Sequence, residues 1–272
     1  MKLGTARIGD STRAFRISGD RADYFDAKDV GELLSQPDWR SLATRRGDVP
    51  VGSALVSPVT QPRKFICVGL NYYDHAAEVG KSAPEFPTLF TKVPTAITGP
   101  RDDIVLPALS TEIDWEAELT VVIGQQVKNA DDQQAAAAIA GYTVINDVSV
   151  RDWQRRTSEW FQGKNFDRST PVGPYVVTPD EIDTGAGLTI RTEVNGVAEQ
   201  QGSTSELIFS PVELIRYISQ FLTLEPGDLI ATGTPGGVGF IRKPPRFLAD
   251  GDLLETTIEG IGTLSNTIRF EN

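Results

Sequence analysis

The only histidine of the chain, His75, stands three residues before Glu78 in GLNYYDHAAEVG. On a helical turn, positions i and i+3 are neighbours, so the two side chains would meet. A carboxylate beside an imidazole fixes its tautomer and strengthens it as a base, which proton transfer near neutral pH requires. A solvated surface pair has the same spacing, but any imidazole chemistry in this chain has to occur here. A second group lies in Asp114-Trp115-Glu116-Ala117-Glu118, which runs into the apolar stretch Leu119–Ile123. Alternate residues of a strand share a face, so Glu116 and Glu118 project together, about 7 Å apart, with Ala117 opposite. Two like charges there need compensation, which a divalent cation supplies; a solvated edge strand is the plainer reading.

Three further stretches carry reactive groups. In Asn146–Gln154, if Asp147 opens a helix, then Asp147, Arg151 and Gln154 fall at i, i+4 and i+7 on one stripe. An acid, a guanidinium and an amide on one face could hold a metal, a substrate carboxylate and a carbonyl; an Asp–Arg surface pair gives the same spacing. Lys164 stands in the loop sequence Gly163-Lys164-Asn165-Phe166-Asp167, where a solvated side chain is the ordinary outcome. The glycine-rich Thr232–Gly239 lacks the GK[ST] ending of a phosphate loop. It reads as a tight loop after a strand, presenting the Thr234 hydroxyl and backbone N–H groups.

These groups belong to a chain of 272 residues, long enough for one large domain, or one with a small appendage. A single cysteine (Cys67) excludes an intrachain disulfide, and with one histidine any metal must be held mainly by carboxylate oxygens. The net charge of −11 argues against nucleic acid and anionic membrane as partners, since both need a basic footprint. No apolar run approaches the ~18 residues of a membrane span, and the start MKLGTARIGD lacks a signal-peptide layout, so a cytoplasmic protein is expected.

The elements that must position the groups are mostly strands. Lys2–Ile8, Arg13–Ser18, Phe65–Leu70, Glu118–Ile123, Tyr142–Ile145, Pro174–Val177 and Leu188–Val194 read as strands, and Gly227-Asp228 and Gly251-Asp252 each introduce another. Asp131–Ile139 reads as a helix. Ser210-Pro211-Val212-Glu213 opens the clearest one, with Leu214, Ile215, Ile218 and Leu222 as its apolar stripe. With few helices and no βα alternation, the fold class is α+β. A connector rich in proline near residue 60 predicts a small N-terminal domain over residues 1–60 and a larger one over 61–272.

Taken in order, PRKFICVGLNYYDHAAE, the run from Phe90-Thr91-Lys92 to Ile97-Thr98-Gly99-Pro100, DWEAEL with VVIG, GYTVINDVSVRDWQ, GKNFD and PGDLIATGTPGGVG resemble the fumarylacetoacetate hydrolase family from about Pro62 to the C-terminus. The resemblance implies a β-rich roll with mixed sheets, commonly a homodimer, preceded by a small N-terminal domain. It implies that Glu116, Glu118 and Asp147 are the metal ligands, the ion being Mg²⁺, with Mn²⁺ or Ca²⁺ as substitutes. It also implies that His75 and Glu78 form the catalytic dyad on a helix acting as a lid, that Lys164 is catalytic, and that Arg151, Gln154 and Thr234 contact substrate. Tyr72, with Tyr73 and Trp160, is expected on the pocket wall. The larger hydrolases of the family add an upstream aspartate ligand and separate the histidine from its glutamate. GLNYYDHAAE does neither, which groups the chain with the compact bacterial members.

The implied activity is metal-dependent hydrolysis of a C–C bond in an acylpyruvate, a small keto acid. Fumarylpyruvate, cleaved to fumarate and pyruvate in gentisate-type aromatic catabolism, is the first expectation. The same scaffold implies two enzymatic alternatives, 2-hydroxyhepta-2,4-diene-1,7-dioate isomerisation and oxaloacetate decarboxylation. A catalytically silent metal-binding homologue is the alternative that is no enzyme.

Overall fold

A computed structural model describes Met1–Glu271. Its centre is the strand Ala117–Ile123, in which every residue is buried. Ala117, Leu119, Val121 and Ile123 enter one apolar core, together with Ile190, Ile258 and Leu264 of a second sheet and Leu214, Ile215 and Ile218 of the helix Pro211–Ser219. Val122 faces the other way, into a core with Phe65, Cys67, Ile145, Val172 and Ala231. Period-two alternation therefore gives Glu116 and Glu118 a shared face opposite the first core.

Around this strand runs a twelve-stranded, largely antiparallel sheet. Ala117–Ile123 pairs with Ile139–Asn146 on one side and Leu229–Ala231 on the other. Beyond Leu229–Ala231 lie Phe65–Gly69, in parallel, and then Thr88–Thr91. Beyond Ile139–Asn146 lies Thr170–Val177, which pairs in turn with Lys2–Ile8. A five-stranded sheet of Val197–Ser203, Thr189–Val194, Leu253–Ile258, Gly262–Glu271 and Ile104–Pro107 packs on the first core. Strand-rich mixed sheets with short helices are the α+β architecture expected from the sequence. The helix Pro211–Ser219 starts where its signals place it: the Ser210 and Glu213 side chains cap each other's backbone N–H groups, with Pro211 in the first turn.

The sheet continues across the composition change near residue 60. Lys2–Ile8 is hydrogen-bonded to Thr170–Val177, and Leu3, Phe25, Val30, Leu33 and Trp39 share one core with Phe65, Cys67 and Val176. The connector reads as a linker in composition, yet Pro58 accepts a hydrogen bond from the Thr5 hydroxyl at 2.8 Å, and Val59 belongs to that shared core. No helix among the described residues is long and apolar enough to cross a membrane.

Candidate active site

Glu116, Glu118 and Asp147 converge in the fold. Glu118 lies on the strand Ala117–Ile123, and Glu116 immediately precedes it. Asp147 follows the partner strand Ile139–Asn146. The Asn146 carboxamide accepts from the Glu116 N–H at 3.0 Å, and the Asp147 N–H donates to the Glu116 carbonyl at 2.8 Å, so the ladder carries on into the site. One carboxylate oxygen from each of the three residues lies within 4.8 Å of the others, and all three residues are buried. Asp147 does not cap a helix, as its spacing from Arg151 suggested. The chain passes through the short strand Ser149–Val150 first, and the helix covers only Arg151–Gln154. Asp147 thus reaches the cluster from a strand end, while Arg151 and Gln154 reach it from a helix.

Lys164 is not a solvated loop residue. It ends the short helix Phe161–Lys164, is 2 % exposed, and donates to Glu116 Oε2 at 2.7 Å and Asp147 Oδ2 at 2.8 Å. The glycine before it has a steric reason. A Cβ on Gly163 would fall 2.5 Å from the backbone nitrogen of Gln154, so only glycine lets the two short helices touch and deliver Lys164 inward. Arg151 Nη1 lies 2.8 Å from Glu116 Oε1, and its Nε donates to Asp114 Oδ2 at 2.8 Å.

Lys92 and Asp114 were not singled out from the sequence, and both belong to this network. The Lys92 side chain is wholly buried, with Nζ 2.7 Å from Asp147 Oδ1 and in contact with the Lys164 carbonyl oxygen. Its signal was faint: Lys92 continues the phase of Phe90, two residues earlier, which lines the cavity. Asp114 accepts from Arg151 and from the Trp115, Gly239 and Phe240 N–H groups, pinning the arginine to the glycine-rich turn.

The electrostatics separate the carboxyls. Burial opposes ionisation of Glu116, but the Lys164 ammonium and the Arg151 guanidinium outweigh it and hold that carboxyl down at about 2. Glu118 has no ion-pair partner among the described residues; burial and then the charges of Asp147 and Glu116 push it well above the ordinary carboxylate value, against the more distant Lys164 charge and one backbone bond from Gly233. Unmet negative charge beside two further carboxylates fits a hard divalent cation. Carboxylate oxygens have lone pairs to share between such an ion and the lysines.

These groups face a cavity of about 440 Å³, lined by His75, Glu116, Glu118, Arg151, Gln154, Lys164 and Thr234 and walled by Phe90, Trp160 and Phe240. His75 and Glu78 lie on the helix Tyr73–Glu78, with His75 Nδ1 3.2 Å from Glu78 Oε2. Glu78 also accepts from the Gly237 N–H at 3.0 Å, and Asp74 accepts from the Gly236 N–H at the same distance, so this helix is bound to the glycine-rich loop. The hydrogen bond at Nδ1 leaves Nε2 as the nitrogen free for proton transfer. Trp160 reaches the wall because Gly69 has no side chain: a Cβ there would meet the indole at 2.3 Å. Tyr72 is not on that wall. It is fully buried and does not line the cavity, its backbone forming an isolated bridge with Leu207, while Tyr73 is 55 % exposed.

Residues 64–269 match the family described as fumarylacetoacetate (FAA) hydrolase C-terminal. A mitochondrial oxaloacetate tautomerase of Bos taurus is 46% identical over 241 residues, 88% of this chain and 77% of that protein. A fumarylacetoacetate hydrolase domain-containing protein 2 homolog of Dictyostelium discoideum is 44% identical over 270 residues, 93% of this chain and 88% of that one. Among solved structures, a fumarylacetoacetate hydrolase from Exiguobacterium antarcticum superposes with a TM-score of 0.88 at 34% identity, covering 100% of both chains. A 5-carboxymethyl-2-hydroxymuconate delta-isomerase from Mycobacterium smegmatis superposes with a TM-score of 0.82 at 36% identity, again covering 100% of both chains. With this match over most of its length and relatives of this identity, the chain belongs to the fumarylacetoacetate hydrolase family, a family of enzymes.

Proposed function

We propose that this enzyme interconverts the keto and enol forms of a 2-keto dicarboxylic acid, with oxaloacetate as the first substrate to test. The observation that carries the reading is that His75, oriented by Glu78, lines one cavity with Lys164, Arg151, Glu116 and Glu118, and that Asp147 lies against the same carboxylates. Glu116, Glu118 and Asp147 would hold Mg²⁺, with Mn²⁺ or Ca²⁺ as substitutes; the ion would supply positive charge to stabilise the anionic oxygens of the acid. Arg151, fixed by Asp114, orients the substrate carboxylate, and Gln154 beside it offers an amide to a carbonyl. His75 Nε2 removes a proton from the carbon next to the keto group. The electron pair left behind becomes an enolate whose charge the Lys164 ammonium offsets; water delivers a proton to the enolate oxygen to give the enol, and His75 passes the proton it took to water, so the exchange balances. Running the steps backward returns the keto acid, so no bond between carbon atoms breaks.

The tautomerase and delta-isomerase names of two relatives support proton transfer, and the hydrolase name of the Exiguobacterium structure keeps hydrolysis as an alternative. Fumarylpyruvate hydrolysis is the second reading. The size of the cavity favours it, since 440 Å³ has room for more than a four-carbon acid. In that case His75 takes its proton from water, which attacks the distal 4-keto carbon, and a pyruvate enolate leaves. A homodimer, implied by the family resemblance, is proposed with either reading, and sedimentation velocity checks it.

The test is a panel of oxaloacetate, fumarylpyruvate, acetylpyruvate and 2-hydroxyhepta-2,4-diene-1,7-dioate, each with Mg²⁺ and with EDTA. Accelerated enol–keto exchange of oxaloacetate without release of carbon dioxide supports the first reading. Pyruvate release from fumarylpyruvate supports the second, and carbon dioxide release would point to decarboxylation. A His75→Ala variant should keep its metal and lose roughly 10²–10⁴ of its rate, the span of a lost general base. Near-normal turnover would remove His75 from the chemistry, and turnover of no keto acid by the intact protein would favour a silent homologue.

A further inference from the structure

Gln200 lies outside the motifs of the site, on the strand Val197–Ser203 of the five-stranded sheet, and is 2 % exposed. Its carboxamide makes four hydrogen bonds. Oε1 accepts from the Ala117 N–H at 3.0 Å and the Thr192 hydroxyl at 2.9 Å; Nε2 donates to Thr234 Oγ1 at 2.8 Å and the Pro235 carbonyl at 3.0 Å. The orientation of the amide is dictated by its neighbours. A backbone N–H can only donate and a carbonyl can only accept, so the oxygen must face Ala117 and the nitrogen must face Pro235.

That orientation settles the polarity of Thr234. Its hydroxyl oxygen accepts a hydrogen bond from the Gln200 amide, so its own O–H has to point elsewhere, and it donates to no acceptor among the described residues. Thr234 lines the cavity with His75, Glu116 and Glu118. The loop is fastened on its other side as well, where the Gly233 N–H donates to Glu118 Oε2 at 2.8 Å. Ala117, held by the same amide, is the residue between the two glutamates.

We infer that Gln200 is a positioning residue. It fixes Thr234 as a hydrogen-bond donor aimed at an anionic oxygen of the bound keto acid or its enolate, and it clamps the strand carrying Glu116 and Glu118 to the glycine-rich loop. The ligand side of this inference rests on the keto-acid reading above; the clamp does not.

Oxalate with Mg²⁺ serves as the probe, a planar dianion resembling a pyruvate enolate. Thr234→Val, which keeps the shape and removes the donor, should weaken oxalate about 10-fold, the effect of one hydrogen bond to a charged group, and leave the Mg²⁺ affinity within about twofold. Thr234→Ser should retain oxalate affinity. Gln200→Glu offers Thr234 an acceptor, draws its proton inward and should weaken oxalate by a similar factor. In a Thr234→Val background the same change should have no further effect, whereas a merely structural role would give additive losses. Additive losses, or unchanged oxalate binding in Thr234→Val, would overturn the donor assignment. Amide exchange in the ligand-free protein reads the clamp alone: the Ala117 N–H should exchange at least about 10-fold faster in Gln200→Leu, since a buried N–H left without its acceptor favours opening. Unchanged exchange would overturn the clamp. A wild-type protein that binds Mg²⁺ but no oxalate would count against the keto-acid reading and the donor role together, and exchange at Ala117 would still decide the clamp.

Discussion

Charge balance among a few buried side chains governs the site. Glu116, held at about 2 against an ordinary 4.5, contributes stability that is present above pH 4.5 and lost as the pH falls toward 2. Replacing Lys164 by Met removes the cation that both Glu116 and Asp147 share. The variant should lose about 1–3 kcal/mol of stability in EDTA, the cost of buried carboxylate oxygens left without their donor while Arg151 and Lys92 still pair Glu116 and Asp147, and recover part of it in Mg²⁺. Its acid unfolding midpoint should move to higher pH; thermal and acid denaturation followed by circular dichroism check both effects. Glu118 has the opposite sign. The fold keeps its proton above the ordinary carboxylate range, so the metal-free protein loses stability as pH rises through that raised value. A cation has to displace the proton, and Mg²⁺ binding should release it and strengthen with pH over the same interval. Calorimetric titration in buffers of different ionisation enthalpy measures the release, and a binding enthalpy independent of buffer would contradict it.

At the scale of elements, local periodicity made some of this site legible and long-range contact hid the rest. The His75–Glu78 turn and the shared face of Glu116 and Glu118 follow from periods of 3.6 and 2. Asp147 was expected on a helix because its spacing to Arg151 and Gln154 is helical, yet a two-residue strand intervenes. Lys92 stood in a segment of the family resemblance without a role of its own and Gln200 gave no signal, because their partners, Asp147 and Thr234, lie far away in sequence. Tyr72 was drawn toward the pocket by its motif, and the interior claimed it instead. Gly163 makes the contact between elements testable. Gly163→Ala places a methyl group against the Gln154 backbone and should cost about 1–3 kcal/mol, the range for overpacking. It should also raise KM by displacing Lys164 and Gln154. Stability and kinetics within error of wild type would show that the two short helices have slack.

For the whole molecule, composition and turn signals conveyed a strand-rich α+β chain but not its continuity. The prolines near residue 60 read as a boundary, whereas the register joining Lys2–Ile8 to Thr170–Val177 depends on strands that no local pattern relates. Removing residues 1–60 would bare the edge of Thr170–Val177 and strip Leu3, Val30 and Leu33 from a core shared with Phe65 and Val176. Fragment 61–272 should therefore lack a cooperative unfolding transition, and a fragment that melts like the full chain and binds Mg²⁺ would show an autonomous catalytic domain. The central claim is that this fold gathers three carboxylates from two neighbouring strands around one hard ion. Anomalous diffraction from crystals grown with Mn²⁺ tests it most directly. One strong peak per chain is predicted, in contact with oxygens of Glu116, Glu118 and Asp147; no peak there, or an ion bound at another place, would contradict it.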